Sequence, residues 1–367
     1  MNIAMDVSIM VQCRTGTEEY TEGLVWGLSR IGLSIVGIGK QRSAILPDRP
    51  CLGIQPGPKR PLWEKFWWER WGIQGAVRSD FDLIHIPYMT HPPSPFRIPS
   101  LVTIHDLIPF RLEEYQARVR ERAYFSQVRK NLAQAGHLVA ISEATFADLQ
   151  GLMPNLAAKV TVIPNGIHPA YFVKAPAADV ERVVRALGLE RHPRILYAGG
   201  YDFRKNVATL VQAAEVVLDR HDGELILVGG RGQAAVERRV ASSRVADRIV
   251  LTPWLSREDL AALYHACDLF AYPSLYEGFG MPPAQALAAK IPLVASDIPS
   301  VRETVGDAGV LVDATAVEAW VDGLTRVIES PQLAQNLVQA GTERAARLAW
   351  DRIAVRYREL YEHLVSK

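Results

Sequence analysis

Leu269-Phe-Ala-Tyr-Pro-Ser-Leu-Tyr-Glu-Gly-Phe-Gly-Met-Pro-Pro-Ala-Gln285 decides the fold. Leu269–Tyr272 is an apolar run of strand length, and Glu277 follows it in a loop. Gly278-Phe279-Gly280 is flexible, and a Pro-Pro pair then opens an apolar helical stretch. Strand, loop and helix in that order put a helix N-terminus, with its backbone N–H groups, at the end of a strand. Helix N-termini attract anions, and glycines let a ligand approach the main chain. A carboxylate beside an anion site is out of place unless it handles another part of the ligand. A sugar joined to a diphosphate meets that requirement.

The same rhythm extends both ways from this stretch. Strand-length apolar runs occur at Ile3–Met5, Ser34–Ile38, Leu83–Ile86, Ser100–Ile104, His137–Ile141 and Val160–Ile163. They resume at Arg194–Tyr197, Glu224–Val228, Arg248–Leu251, Leu269–Tyr272, Leu293–Ala295 and Gly309–Val312. Helical patterns lie between most of them, which predicts parallel sheets covered on both faces. The rhythm breaks after Asn165-Gly166, and His168–Pro176 reads as a linker. With 367 residues the chain exceeds what one core usually supports. The expectation is two doubly wound, Rossmann-like α/β domains, 1–170 and 171–349. A final helix, about 350–367, returns to the first domain. Ligands are then expected at the carboxyl ends of the strands, in a cleft between the domains.

Bulk composition narrows the function classes. Half of the residues are hydrophobic (49%), 22% are charged and the formal net charge is +1, so attraction to nucleic acid is not expected. Three scattered cysteines, Cys13, Cys51 and Cys267, offer neither a disulfide framework nor a zinc motif. The N-terminus reads as a buried strand rather than a signal peptide, and no run reaches membrane-spanning length. A cytoplasmic protein is expected, with membrane contact only at its surface.

Several loops carry candidate chemistry. Gly199-Gly200-Tyr-Asp-Phe-Arg204-Lys205-Asn206 joins a strand to a helix, and its adjacent cations can neutralise a diphosphate without a metal. His105, in Thr103-Ile-His-Asp106, ends a strand and is placed to face a ligand, with Asp106 orienting its ring or starting the next turn. Gly16 and Thr17 open the helix after the first strand. They either present N–H groups to a ligand or form an ordinary cap at Thr17. Gly230-Arg-Gly232-Gln-Ala-Ala235 matches a dinucleotide fingerprint, but no acidic residue follows at ribose-binding distance. Asp80-Phe-Asp82 precedes its strand and reads as a cap. Trp63, Trp67 and Trp71 fall on one helical stripe flanked by Lys59, Arg60, Lys65 and Arg70. They either pack into the first domain or touch a bilayer or lipid-linked acceptor.

These residues together resemble the family-4 retaining glycosyltransferases, the group 1 family with the GT-B fold. The resemblance spans nearly the whole chain. It is carried by Tyr197-Ala-Gly-Gly200, Arg204-Lys205-Asn206, Leu227-Val-Gly-Gly230, the stretch Asp268–Gly280 and Val301-Arg-Glu-Thr-Val-Gly306. Val102-Thr-Ile-His-Asp106, Ile141-Ser-Glu143 and Val162-Ile-Pro-Asn-Gly166 look like its acceptor-side half. The resemblance implies transfer of a hexose from a nucleoside-diphosphate sugar, of GDP-mannose or UDP-hexose type, to a saccharide or lipid-linked hydroxyl. It implies no cofactor and no metal. Arg204 and Lys205 would bind the diphosphate and leave Glu277 free for sugar hydroxyls. Gly278, Phe279, Gly280 and Met281 would supply N–H groups, and His105 would reach the sugar from the opposite domain. Gly16 would lie by the phosphates, and Pro253 and Trp254 beside the base. One position departs: the family often has a second glutamate eight residues after the first, on the ribose, where this chain has Gln285. An amide there lacks a carboxylate's charge, worth about 1–2 kcal/mol. Two rivals remain open: a nucleotide-sugar-binding scaffold without turnover, and a sugar-nucleotide epimerase of the same architecture.

Overall fold

A computed structural model describes residues 1–10, 15–39, 51–53, 61–116 and 119–367, with only the backbone at 51–53 and 61–63. Cys13, Lys59, Arg60 and the side chains of Cys51 and Trp63 therefore lie outside the described residues. The chain divides into two compact units. The first comprises Met1–Gly166 and Leu348–Lys367, and the second Ile167–Arg347.

The first unit contains strands β1 (Asn2–Asp6), β2 (Ser34–Gly39), β3 (Cys51–Gly53), β4 (Leu83–Ile86), β5 (Ser100–Ile104), β6 (His137–Ala140) and β7 (Val160–Val162). They form one parallel sheet in the order β3-β2-β1-β4-β5-β6-β7. Its strands are apolar on both faces, because helices cover both. One face packs under helices Gly16–Arg30 and Trp350–Val365, with Tyr20, Leu24, Trp350 and Tyr357 in the core. The other holds Trp68, Phe81, Val128 and Leu132. Gly23 and Gly27 let the two helices of the first face meet. A Cβ on Gly23 would stand 2.0 Å from the Trp350 indole, and one on Gly27 3.0 Å from Ala354 Cβ.

The second unit repeats the plan with β8 (Arg194–Ala198), β9 (Glu224–Val228), β10 (Ile249–Leu251), β11 (Leu269–Tyr272), β12 (Leu293–Ser296) and β13 (Val310–Val312). The order is β10-β9-β8-β11-β12-β13, again all parallel. In each unit the first strand of the series lies between strands that cross in opposite directions. That is the topological switch point: β1 beside β4 in one sheet, β8 beside β11 in the other. In such sheets the loops at the carboxyl ends of these strands splay apart and leave room for a ligand.

Among the described residues, twelve of the thirteen strands coincide with the expected apolar runs. The exception is β3, whose three residues at the sheet edge are too few to display a period. The tryptophan stripe is corrected. A wide π-helical turn at Trp68–Gly72 follows the helix Pro61–Trp67 and breaks the regular four-residue spacing. Trp67 is half-buried against the core, Trp68 turns fully inward and donates from Nε1 to Asp6 Oδ2 at 3.0 Å, and Trp71 stays 53% exposed.

Candidate active site

In the second unit, the residues picked out by the sequence converge at the β8–β11 switch point. After β8 the chain turns tightly at Gly199-Gly200, where a Cβ on Gly199 would sit 2.7 Å from the Tyr197 hydroxyl. That hydroxyl donates to the Gly200 carbonyl at 2.5 Å and pins the turn. One short 3-10 turn, Phe203–Lys205, then presents both cations before the helix Val207–Arg220 begins. Asn206 takes the left-handed conformation between them (φ 52°), a conformation asparagine tolerates.

Glu277 arrives from the loop after β11 and meets both cations. Its Oε1 accepts from Arg204 Nη1 at 2.9 Å, Lys205 Nζ at 2.6 Å, Tyr272 Oη at 2.9 Å and Ser274 Oγ at 2.5 Å. Arg204 also donates to the Tyr276 carbonyl and has Asp202 3.1 Å from Nε. Lys205 is 7% exposed and lies 5.3 Å from the Tyr272 ring centroid. Burial pushes the Glu277 carboxyl up, but Lys205 and Arg204 outweigh burial and hold it below the ordinary carboxylate value. This corrects the expected division of labour. Glu277 is not left free beside the cations; it is their counterion. Two cations face two carboxylates, Asp202 and Glu277, so the cluster's formal charges cancel.

The loop is tied from below. Ser300 Oγ donates to the Glu277 carbonyl at 2.8 Å, and Thr304 Oγ1 to the Phe279 carbonyl at 2.6 Å. Gly280 has φ 94°, a conformation costly for any side chain, and leads into the helix Met281–Ala288. The donors at the start of this helix are few. Pro282 and Pro283 carry no N–H, and Ala284 N–H already bonds to the Gly280 carbonyl. Anion recognition by main-chain donors here is therefore limited to residues 278–281. Gln285 is buried, at 4% exposure, on this helix.

Trp254 and Pro253 follow β10 and lie over the end of β9. Gly229 (φ 76°) donates to the Pro253 carbonyl at 3.2 Å, and a Cβ there would come 2.8 Å from the Trp254 ring. Tyr201 donates to the Val228 carbonyl at 2.7 Å, so the Gly199–Lys205 loop and Trp254 flank the same strand end. Trp254 is 45% exposed. The Gly230–Ala235 fingerprint is spent within its own helix: Gly232 N–H donates to Glu237 at 2.7 Å.

In the first unit, His105 follows β5. Its Nε2 bonds to the Pro87 carbonyl at 2.8 Å. A carbonyl only accepts, so Nε2 carries the proton and Nδ1 is left as the acceptor nitrogen. Burial lowers the imidazole to about 4, keeping it neutral. Tyr20 meets its ring edge-on at 4.7 Å. Asp106 starts the next turn by accepting from Ile108 N–H at 3.0 Å. Thr103 sits two residues back on the same face, in a buried chain linking Tyr361, His85, Thr103, Tyr20 and Tyr357 through contacts of 2.7–2.9 Å. The cap of the helix Gly16–Arg30 is Thr15, not Thr17; Thr15 and Glu18 form a reciprocal capping box. Gly16 and Thr17 occupy the first turn, and a Cβ on Gly16 would meet nothing within 4 Å. Asp80 pairs with Arg78, and Asp82 accepts the Asn2 N–H, as a strand-entry pair does.

Sequence reasoning missed the groups that hold the site: Tyr197, Tyr272, Ser274, Ser300 and Thr304. It also missed Asp6 at the β1–β4 switch point, fully buried and accepting from Trp68, Tyr88 and Ser8. The serine and threonine pair had a signal, since residues 300 and 304 share one face of a helix that packs beneath the loop.

Comparison with known proteins decides the family. The family described as Glycosyltransferase Family 4 matches residues 14–171, and Glycosyl transferases group 1 matches residues 179–344. The chain belongs to the family-4, group 1 glycosyltransferases. Among its relatives, O-antigen chain mannosyltransferase B of Escherichia coli is 28% identical over 272 residues, covering 72% of this chain and 71% of that protein. D-inositol 3-phosphate glycosyltransferase of Corynebacterium urealyticum is 26% identical over 239 residues, with 62% and 56% covered. Anabaena HepE, solved in complex with UDP and glucose, superposes with a TM-score of 0.78 at 17% identity, covering 99% of each chain. The glycosyltransferase has the GT-B architecture. Among its described residues, no helix is long and apolar enough to cross a membrane.

Proposed function

We propose that this glycosyltransferase moves a hexose from a nucleoside-diphosphate sugar, GDP-mannose or UDP-hexose, to a saccharide or lipid-linked hydroxyl, with retention at the anomeric carbon. The observation that carries the reading is the Arg204–Lys205–Glu277 cluster at the β8–β11 switch point. Two nearly buried cations stabilise a departing diphosphate far better than exposed ones, because little water screens them. N–H groups of residues 278–281 add to that field. The relatives that act on O-antigen chains and inositol phosphate support a glycan or phosphorylated acceptor. HepE's UDP supports a nucleotide donor.

In the proposed step the anomeric C1–O bond to the diphosphate breaks, and the acceptor oxygen bonds C1 on the same face. The acceptor proton passes to a diphosphate oxygen, so no carboxylate base and no metal is called for. Glu277 and the acceptor nitrogen of neutral His105 take sugar hydroxyls. Trp254 flanks the base, Gln285 the ribose, and the first turn at Gly16-Thr17 the phosphates. Membrane contact is proposed at Trp71, with Arg70 stacked 5.2 Å from its ring.

The test is a panel of nucleotide sugars with saccharide and lipid-linked acceptors, read as nucleoside-diphosphate release and product stereochemistry. Normal turnover in an Arg204→Ala, Lys205→Ala double variant would sink the phosphate assignment.

A further inference from the structure

Hydroxyls inside helices commonly turn back onto their own helix. Thr21, Ser29 and Thr342 do so, donating to the carbonyls of Thr17, Val25 and Val338 at 2.7–2.8 Å. The helix Pro299–Val305 departs from that habit. Ser300 and Thr304 stand one turn apart on a shared face, and both are buried. Their hydroxyls leave the helix for the loop after β11, reaching the Glu277 carbonyl at 2.8 Å and the Phe279 carbonyl at 2.6 Å. Thr304 is itself held in place. Arg344, on the helix Pro331–Arg347, donates from Nε to the Thr304 carbonyl at 2.6 Å and from Nη2 to the Glu303 carbonyl. Gly306 leaves room for that guanidinium, since a Cβ there would stand 2.8 Å from Arg344 Nη1.

A grip on a carbonyl also aims the amide bonded to it. The peptide is planar and trans, so the Gly280 N–H points opposite to the Phe279 C=O. Thr304 holds that C=O, and the Gly280 N–H is thereby turned away from the helix Pro299–Val305. Ser300 fixes the carbonyl two residues earlier, which keeps the segment from rotating about a single anchor. Gly280 is buried, yet among the described residues no group accepts from its N–H. Buried main-chain donors are nearly always paired. This one lies three residues after Glu277, whose cluster with Arg204 and Lys205 is the proposed diphosphate site.

We infer that Thr304 is a positioning residue for the transfer: through the Phe279 carbonyl it aims the Gly280 N–H at the leaving diphosphate. The inference rests on the donor reading above and singles out one of its main-chain donors. Charge on the diphosphate grows as the C1–O bond breaks. A donor held ready therefore acts more on that step than on binding of the intact nucleotide sugar. Releasing the carbonyl lets the peptide turn and misaims the donor.

Thr304→Val removes the hydroxyl and keeps the branched shape, whereas Thr304→Ser keeps the hydroxyl. The assay is nucleoside-diphosphate release from GDP-mannose or UDP-glucose, whichever supports turnover. Removing an oxyanion donor outright costs about 10²–10³ in kcat, and a misaimed donor costs less. Thr304→Val should lower kcat about tenfold with the donor KM within about twofold of wild type, and Thr304→Ser should recover most of that loss. Equal losses in the two variants, a rise in KM alone, or a lower unfolding temperature with unchanged kcat would make the hydroxyl a structural tie and overturn the inference. NMR of the wild-type chain labelled at glycine nitrogen needs no variant. On titration with UDP or GDP, the Gly280 amide proton should move downfield and become protected from exchange. Nucleotide binding that leaves this amide unmoved overturns the inference alone. Binding of neither nucleotide defeats the donor reading and the inference together.

Discussion

Replacing Glu277 by glutamine separates its two roles, because they predict effects of opposite sign. Glu277 Oε1 is the shared acceptor for Arg204 and Lys205, whose side chains are 16% and 9% exposed. Removing one partner from a buried pair leaves uncompensated charge and costs about 3–5 kcal/mol. A glutamine oxygen still accepts from Lys205, so the expected loss is at the lower end, about 3 kcal/mol. The same substitution changes the cluster from balanced to one net positive charge. A diphosphate no longer competes with a carboxylate for Lys205. One charge-assisted hydrogen bond released to the phosphates is worth about 1.5 kcal/mol, or roughly tenfold in affinity.

Glu277→Gln should therefore unfold at lower temperature yet bind UDP or GDP about tenfold more tightly. Turnover should move the other way. A donor-sugar hydroxyl that loses a carboxylate partner forfeits about 2–3 kcal/mol, or roughly 30–150-fold in kcat/KM. Calorimetric titration of the diphosphate, unfolding scans without ligand and initial-rate assays measure the three effects. Unchanged or weaker diphosphate binding would refute the counterion argument, and unchanged turnover would refute the sugar contact. Wild-type pH dependence adds a check. Because the folded carboxyl is held below its ordinary value of 4.5, its stabilising contribution is intact above that pH. It is lost as pH falls through the lower folded value.

The buried histidines predict a separate acid sensitivity. His85 is lowered to about 3 by burial and by His105, and His105 to about 4 by burial, against an ordinary 6.5. The unfolded chain takes up their protons first, so stability falls as pH drops below 6.5, by about 2 kcal/mol per histidine at pH 5. Urea titrations from pH 7 to 5 should show this slope, and His85→Gln should reduce it by one proton. Trp71→Ser should lower co-sedimentation with anionic liposomes, whereas equal recovery removes membrane contact from the proposal. Gln285→Glu should tighten nucleoside-diphosphate binding by up to tenfold if this position holds the ribose. Lower stability with unchanged affinity would assign Gln285 to packing alone.

Legibility followed physical range. Short apolar runs between helical patterns report burial on both sheet faces, so twelve strands and the α/β class could be read directly. Strand β3 could not, because three edge residues carry no period. The tryptophan stripe misled for a local reason. Four-residue spacing assumes 3.6 residues per turn, and one π-helical turn rotates Trp68 inward and leaves Trp71 outside. The restriction of main-chain donors to residues 278–281 was legible, since Pro282 and Pro283 announce two missing donors.

The Glu277 pairing was not legible, and its reason bears on mechanism. Arg204 and Glu277 are 73 residues apart and meet only because β8 and β11 adjoin at the switch point. Sequence assigns one charge type to phosphates and the other to sugar, as if each acted alone. The fold makes them one coupled object. A donor that binds its phosphates to Arg204 and Lys205 frees the very oxygen that a sugar hydroxyl can then use. Phosphate without sugar pays to displace Glu277 and gains nothing in return. A nucleotide sugar recovers that cost through the released carboxylate, so the cluster should favour intact donor over its diphosphate product.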